Sequence, residues 1–202
     1  MTDDDRDALH DAIRMTAVAL ADADIRYALC GSYATWARGA PEPSHDADFV
    51  IREQDVDRAR EAVAAAGLDV HQPTENWLFK AYRGPALVDV LFRMCGEPVG
   101  PEVFDRAEVL EVLAVRMPVL EATDVLSTQL RVLGEHYCDY SRLLPVARAL
   151  REQIDWARLR REVGHSPYAR AFVRLLEDLQ VIEPEPAPAG AAGRPETAAT
   201  RP

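Results

Sequence analysis

Lysine is almost missing from this chain: Lys80 is the only one in 202 residues, and every other side chain with a fixed positive charge is arginine. A GC-rich coding bias accounts for such a shortage, and it singles out the one position where lysine survives. Cysteine is scarce as well. Cys30, Cys95 and Cys138 are odd in number, far apart and in no metal-binding spacing, which excludes a disulfide framework and points to free thiols in a reducing compartment. No apolar run approaches the roughly 18 residues that a membrane helix needs, so no membrane partner is expected. Asp3, Asp4 and Asp5 follow closely on Met1, the reverse of the basic start of a secretory signal. The expectation is a soluble protein of the cytoplasm. An excess of positive charge is missing too. With a net charge of −11 the chain gains no counterion-release attraction to nucleic acid, so general DNA binding is not expected; a local basic patch would still admit a folded RNA.

Apolar residues make up 48% of the chain, enough for one core or for two small subdomains sharing a cleft. Residues 3–23 read as an amphipathic helix, with Leu9, Ile13, Ala17 and Leu20 at helical spacing. Residues 25–30 are a short β-prone run ending at Gly31. Residues 32–38 predict a short helix stopped by Gly39, Pro41 and Pro43. Residues 46–51 alternate as a strand. Residues 54–66 form a helix with Val56, Ala59, Val63 and Ala66 inward and Gly67 as its stop. Residues 77–82 and 86–92 are two strands joined at Arg83-Gly84-Pro85, and residues 109–119 hold one more strand, closed by Pro118.

From Glu121 the period becomes helical. Leu126, Leu130 and Leu133 mark one helix, Leu143, Leu144, Ala147 and Leu150 a second, and Tyr168, Phe172, Leu175 and Leu179 a third. Residues 183–202 lack large apolar side chains and predict a disordered tail. There is no internal repeat. The fold class expected is α+β: a small mixed sheet with flanking helices over residues 1–120, then a helical bundle over 121–182.

The chemistry concentrates in residues 29–51, LCGSYATWARGAPEPSHDADFVI. Residues i and i+2 of a strand share a face about 6.6 Å apart, so Asp46 and Asp48 aim two carboxylates at one point while Ala47 and Phe49 turn inward. A cation between them relieves their repulsion, and oxygen-only ligation favours Mg²⁺, Mn²⁺ or Ca²⁺ over zinc. Alone, an Asp-x-Asp strand reads as readily as a solvated acidic face. Asp89 adds weight, because Leu87, Val88, Val90, Leu91 and Phe92 make its strand the most apolar of the chain, where a charge is costly unless paired or bound to metal. Three acids from two strands can hold two Mg²⁺ ions about 3.5–4 Å apart, the clamp used in phosphoryl displacement. Gly31-Ser32 opens a helix directly from a strand: glycine admits a close ligand, the helix start offers free N–H groups to phosphate, and Ser32 serves as N-cap and phosphate donor.

Together, Cys30-Gly31-Ser32, thirteen residues, Asp46-Ala47-Asp48-Phe49 and the later Val88-Asp89-Val90 resemble the polymerase-beta-like nucleotidyltransferase superfamily. Its members include aminoglycoside and lincosamide nucleotidyltransferases and the AbiEii-type toxins. The resemblance implies a nucleotidyltransferase sheet followed by a helical substrate-side half, NTP as substrate and Mg²⁺ or Mn²⁺ as cofactor. It implies that Gly31 and Ser32 hold the triphosphate and that Asp46 and Asp48 hold the metals. Asp89 then completes the metal site and helps deprotonate the acceptor hydroxyl. The acceptor is a small molecule, which the acidic surface favours, or tRNA; an antitoxin partner goes with the toxin branch.

Arg38, on the helix after Ser32, and Lys80 are further candidates for nucleotide contact. With Gly84-Pro85 as a hairpin tip, Lys80 faces Asp89 across the strands, either reaching a phosphate or simply pairing with the acid. Many AbiEii-like members carry a lysine where this chain has Gln129, which weakens the toxin reading. The polar segment 135–140 is either an acceptor-pocket wall or a turn capped by Asp139. Trp36, Trp77 and Trp156 are expected in the core. The alternative to catalysis is a relative that keeps the fold as a nucleotide-binding or partner-binding module.

Overall fold

The computed structural model describes residues 2–184. The chain starts with helix α1 (Asp3–Asp22), closed at its N-terminus by a capping box in which Thr2 and Asp5 exchange side-chain bonds to each other's backbone N–H. Strand β1 (Tyr27–Cys30) runs into helix α2 (Gly31–Ala37), then into strand β2 (Ala47–Ile51). A 3₁₀ turn, Glu53–Asp55, leads to helix α3 (Val56–Ala65), which Gly67 ends at a φ of +96°. Strands β3 (Asp69–His71), β4 (Leu78–Arg83) and β5 (Ala86–Leu91) follow. A small hairpin, β6 (Arg93–Met94) and β7 (Glu97–Pro98), and a short helix α4 (Pro101–Asp105) precede strands β8 (Glu108–Val112) and β9 (Val115–Val119).

Seven strands form one sheet in the order β3-β4-β5-β2-β1-β9-β8. The pairs β2–β5 and β1–β9 are parallel and the rest antiparallel, so the sheet is mixed, as expected. Helices α1 and α3 pack against it. Leu9, Ile13, Ala17 and Leu20 bury fully there beside Phe49, Val88 and Val90. The second half is four helices: α5 (Ala122–Arg131), α6 (Tyr140–Leu150), α7 (Trp156–Val163) and α8 (Pro167–Asp178). Their own apolar cluster is built on Leu126, Leu130, Leu150, Leu159, Phe172 and Leu176. The α+β class with a helical second half is therefore the observed one.

Several details differ from the sequence expectation. Residues 109–119 are two strands, because Leu113 and Ala114 both turn at positive φ (53° and 62°) and carry none of the usual glycine or asparagine signal. Pro118 lies inside β9 opposite Val109 rather than closing the strand. Strand β9 is registered with β1 only at Val119 and Leu29, so a missing N–H there costs little. Helix α7 is an addition to the expected three, and α8 buries Ala169, Phe172, Val173 and Leu176, leaving Leu179 43% exposed. Trp77 is not a core residue, being 44% exposed. The expected tail lies, from residue 185 onward, outside the described residues. No helix among the described residues is long and apolar enough to cross a membrane.

Candidate active site

Sheet register assembles the site. The antiparallel β1–β2 pair sets Cys30 opposite Asp48, and the parallel β2–β5 pair sets Asp48 beside Asp89. The β4–β5 hairpin, tipped by Gly84-Pro85, sets Lys80 opposite Asp89, and β3 adds His71 opposite Lys80. One row of side chains thus crosses the sheet: His71, Lys80, Asp89, Asp48 and Cys30. Asp46, two residues before Asp48, joins it by the period-2 rule. One carboxylate oxygen from each of Asp46, Asp48 and Asp89 lies within 4.8 Å of the others. Their neighbours Ala47, Phe49, Val88 and Val90 are fully buried, so a one-residue slip, which would send the acids into the core, is forbidden.

The electrostatics are those of a crowded carboxylate site. Burial, reinforced by the charges of Asp46 and Asp89, pushes the Asp48 carboxyl up to about 7. Burial also raises Asp89, against the pull of Lys80, whose Nζ donates to both its oxygens at 2.9 and 3.0 Å. For Lys80, burial works against the charge, but the bond and charge of Asp89 outweigh it and the ammonium is held above its ordinary value. The Cys30 thiol is pushed well up by burial and then by Asp48 and Asp89, which makes it an inert lining group. A hard divalent cation fits this donor set: three converging carboxylates that offer only oxygen and whose crowded negative charges such an ion offsets.

Gly31 is forced by its place. Its φ is +61°, and a Cβ added there would stand 2.0 Å from Asp48 Oδ2. Ser32 is not the N-cap expected of it. Cys30 holds that position, with no side-chain cap bond, because the helix begins at Gly31, directly after the extended strand. Ser32 instead lines a cleft of about 550 Å³ together with Asp46, Gln129, Tyr137, Asp139 and Arg142. One wall is residues 41–45, the other the ends of α5 and α6.

Of the other expected residues, Lys80 is brought to the acids and Arg38 is not. The Arg38 guanidinium, with its side chain 4% exposed, is spent on the carbonyls of Leu120 (2.7 Å) and Val119 (3.2 Å) and on Glu108 (2.9 Å). In segment 135–140 Asp139 caps α6 by accepting from Ser141 N–H, and Tyr137 and Asp139 also line the cleft. Gln129 faces the same cleft, and its Oε1 is buried without a partner among the described residues. Sequence reasoning passes over Arg142 and His45, which also line it, since nothing in their spacing separates a cleft residue from an ordinary exposed one.

No protein-family model and no curated relative matches the chain. Solved structures do. ANT(2″)-Ia in complex with adenylyl-2″-tobramycin is similar at 13% identity over 82% of this chain and 97% of that one, with a TM-score of 0.57. The solution structure of the same antibiotic-resistance factor agrees at 14% identity, 85% and 94% coverage and a TM-score of 0.56. An antigenic nucleotidyltransferase-like protein from Paracoccidioides brasiliensis is similar at 14% identity over 86% of this chain and 89% of that one, with a TM-score of 0.54. The likeness runs through both the sheet and the helical half, and on it the chain has the nucleotidyltransferase fold.

Proposed function

We propose that this chain is a metal-dependent nucleotidyltransferase that moves a nucleoside monophosphate from an NTP to an acceptor hydroxyl or similar group. The observation that carries the reading is the convergence of Asp46, Asp48 and Asp89 within 4.8 Å beside Gly31, in a fold whose relatives are nucleotidyltransferases. In the transfer, the acceptor oxygen bonds to the α-phosphorus, the bond to the bridging oxygen breaks, and pyrophosphate leaves. Divalent metal, when bound, neutralises the triphosphate and the charge that develops on pyrophosphate. Asp46, Asp48 and Asp89 are the residues that would hold it. Gly31, with no side chain, leaves room for the Asp48 carboxylate against the backbone, and the start of α2 with the Ser32 hydroxyl donates to the triphosphate. Asp89 completes the metal site and helps take the acceptor proton. Arg38 acts at one remove, tying α2 to β9 and β8 and so holding Ser32 in place.

In this reading residues 1–120 bind nucleotide and metal, and residues 121–182 supply the acceptor side of the cleft. A cavity of about 550 Å³ is the size of a small-molecule site, which favours such an acceptor over tRNA. The adenylyl product held by ANT(2″)-Ia makes ATP the first donor to try. The test is Mg²⁺-dependent pyrophosphate release from each of the four NTPs, against a panel of hydroxylated small molecules and against bulk tRNA. Transfer to a small molecule that falls at least about 10³-fold in Asp89→Asn supports the reading. No release under any pairing with Mg²⁺ or Mn²⁺ contradicts it and leaves a binding module on an inherited fold.

A further inference from the structure

Two large side chains that the fold leaves in water lie on the cleft beside the acids. Val132 is 53% exposed and Tyr137 61%, and both line the cavity of about 550 Å³ that reaches Ser32 and Asp46. Leu143 and Val146 of α6 extend this apolar lining, and Pro41 and Pro43 belong to the 41–45 wall. That wall is tied down. Glu42 is hydrogen-bonded to His10 Nε2 at 2.9 Å, and the His10 ring stacks on Trp36 with centroids 5.9 Å apart. Apolar groups left open in a preformed concave site gain when a ligand covers them.

The charges of the cleft narrow the ligand further. Its carboxylates are Glu42, Asp46 and Asp139. Glu42 is engaged with His10, and Asp46 belongs to the triad. Asp139 accepts from the Ser141 N–H at 2.9 Å and hydroxyl at 2.6 Å and lies 3.6 Å from Arg142. None of the three stands free to receive an ammonium group, and a cation set against an apolar wall without a partner is costly. We propose that the acceptor is an amphipathic alcohol without positive charge. Its hydroxyl lies toward Ser32 and Asp46, and its apolar body covers Val132, Tyr137, Leu143 and Val146. This deepens the nucleotidyltransferase reading above and rests on it. A polyamino sugar or a bare polyol leaves the same side chains uncovered.

The probe is naphthylethanol, which is neutral and joins a fused-ring body to one hydroxyl. Saturation-transfer NMR on the full chain, with Mg²⁺ present, compares it with glycerol, a polyol without an apolar body, and with neamine, a polyamino sugar. Binding of naphthylethanol alone is expected. Its affinity should fall at least about tenfold in Val132→Glu, which sets a charge in the apolar lining, and fall also in Tyr137→Ser. Should Val132→Glu not fold, Tyr137→Ser decides. No binding of naphthylethanol, binding of neamine as tight or tighter, or unchanged affinity in the variants overturns the proposal. The parent reading fails separately, by the absence of Mg²⁺-dependent NTP binding; a chain that binds NTP but not naphthylethanol loses only the acceptor class.

Discussion

A methyl group added at Gly31 would arrive 2.0 Å from Asp48 Oδ2 on a backbone already at a φ of +61°. Gly31→Ala therefore strains the chain twice, by the left-handed conformation and by displacing a half-buried carboxylate. Denaturant unfolding should find it less stable by about 2 kcal/mol or more, with metal-dependent nucleotide binding lost as well. Asp48→Asn should separate the two quantities. It removes one of three crowded charges, so in chelator the variant should melt a few degrees above wild type, while losing metal-dependent binding; a lower melting temperature would show that the acids are not in conflict. These residues are legible in the sequence because their cues are short-range: Asp46 and Asp48 share a face by the strand period, and Lys80 meets Asp89 by counting from a two-residue tip. Arg38 and Ser32 are less so. What Arg38 binds are the carbonyls of Val119 and Leu120, some eighty residues away, and no local pattern announces such a partner.

Elements with local signals emerge from the sequence and those defined by distant partners do not. Helix α1 and the β4–β5 hairpin carry a regular period or a glycine tip. Strand β3 is three residues long, and its strand character comes from pairing with β4. The β8–β9 turn hides because Leu113 and Ala114 hold positive φ without the residues that favour it. Ala114→Gly should thus stabilise the protein by roughly 1 kcal/mol, read as a raised denaturant midpoint at unchanged slope. Helix α5 is tied to its surroundings through Asp124, which accepts from Arg106 at 2.9 and 3.1 Å and from Arg158 at 3.2 Å. Asp124→Ala leaves those two cations sharing Glu121, and should cost about 2–4 kcal/mol. An effect under about 0.5 kcal/mol would mean that solvent already screens the cluster.

At the scale of the molecule, there are two apolar clusters, one under the sheet and one among the helices, and the cleft is lined by residues of both halves of the chain, Ser32 and Asp46 from the first and Leu133 and Leu143 from the second. Under the proposed function, that arrangement would put nucleotide chemistry on rigid strands and leave acceptor recognition to residues 41–45, α5 and α6. The net charge of −11 belongs to this scale too. Fluorescence anisotropy with a random duplex at about 0.1 M salt should detect no binding, since an acidic surface releases no phosphate counterions. The central claim, that three strand-borne carboxylates bind nucleotide through metal, is tested most directly by titration calorimetry. Each of the four NTPs, with and without Mg²⁺, is titrated into the wild type and into the Asp46→Ala/Asp48→Ala double variant. The predicted result is binding of at least one NTP that needs Mg²⁺ and disappears in the variant; equal binding by the two proteins, or none by the wild type, would contradict it.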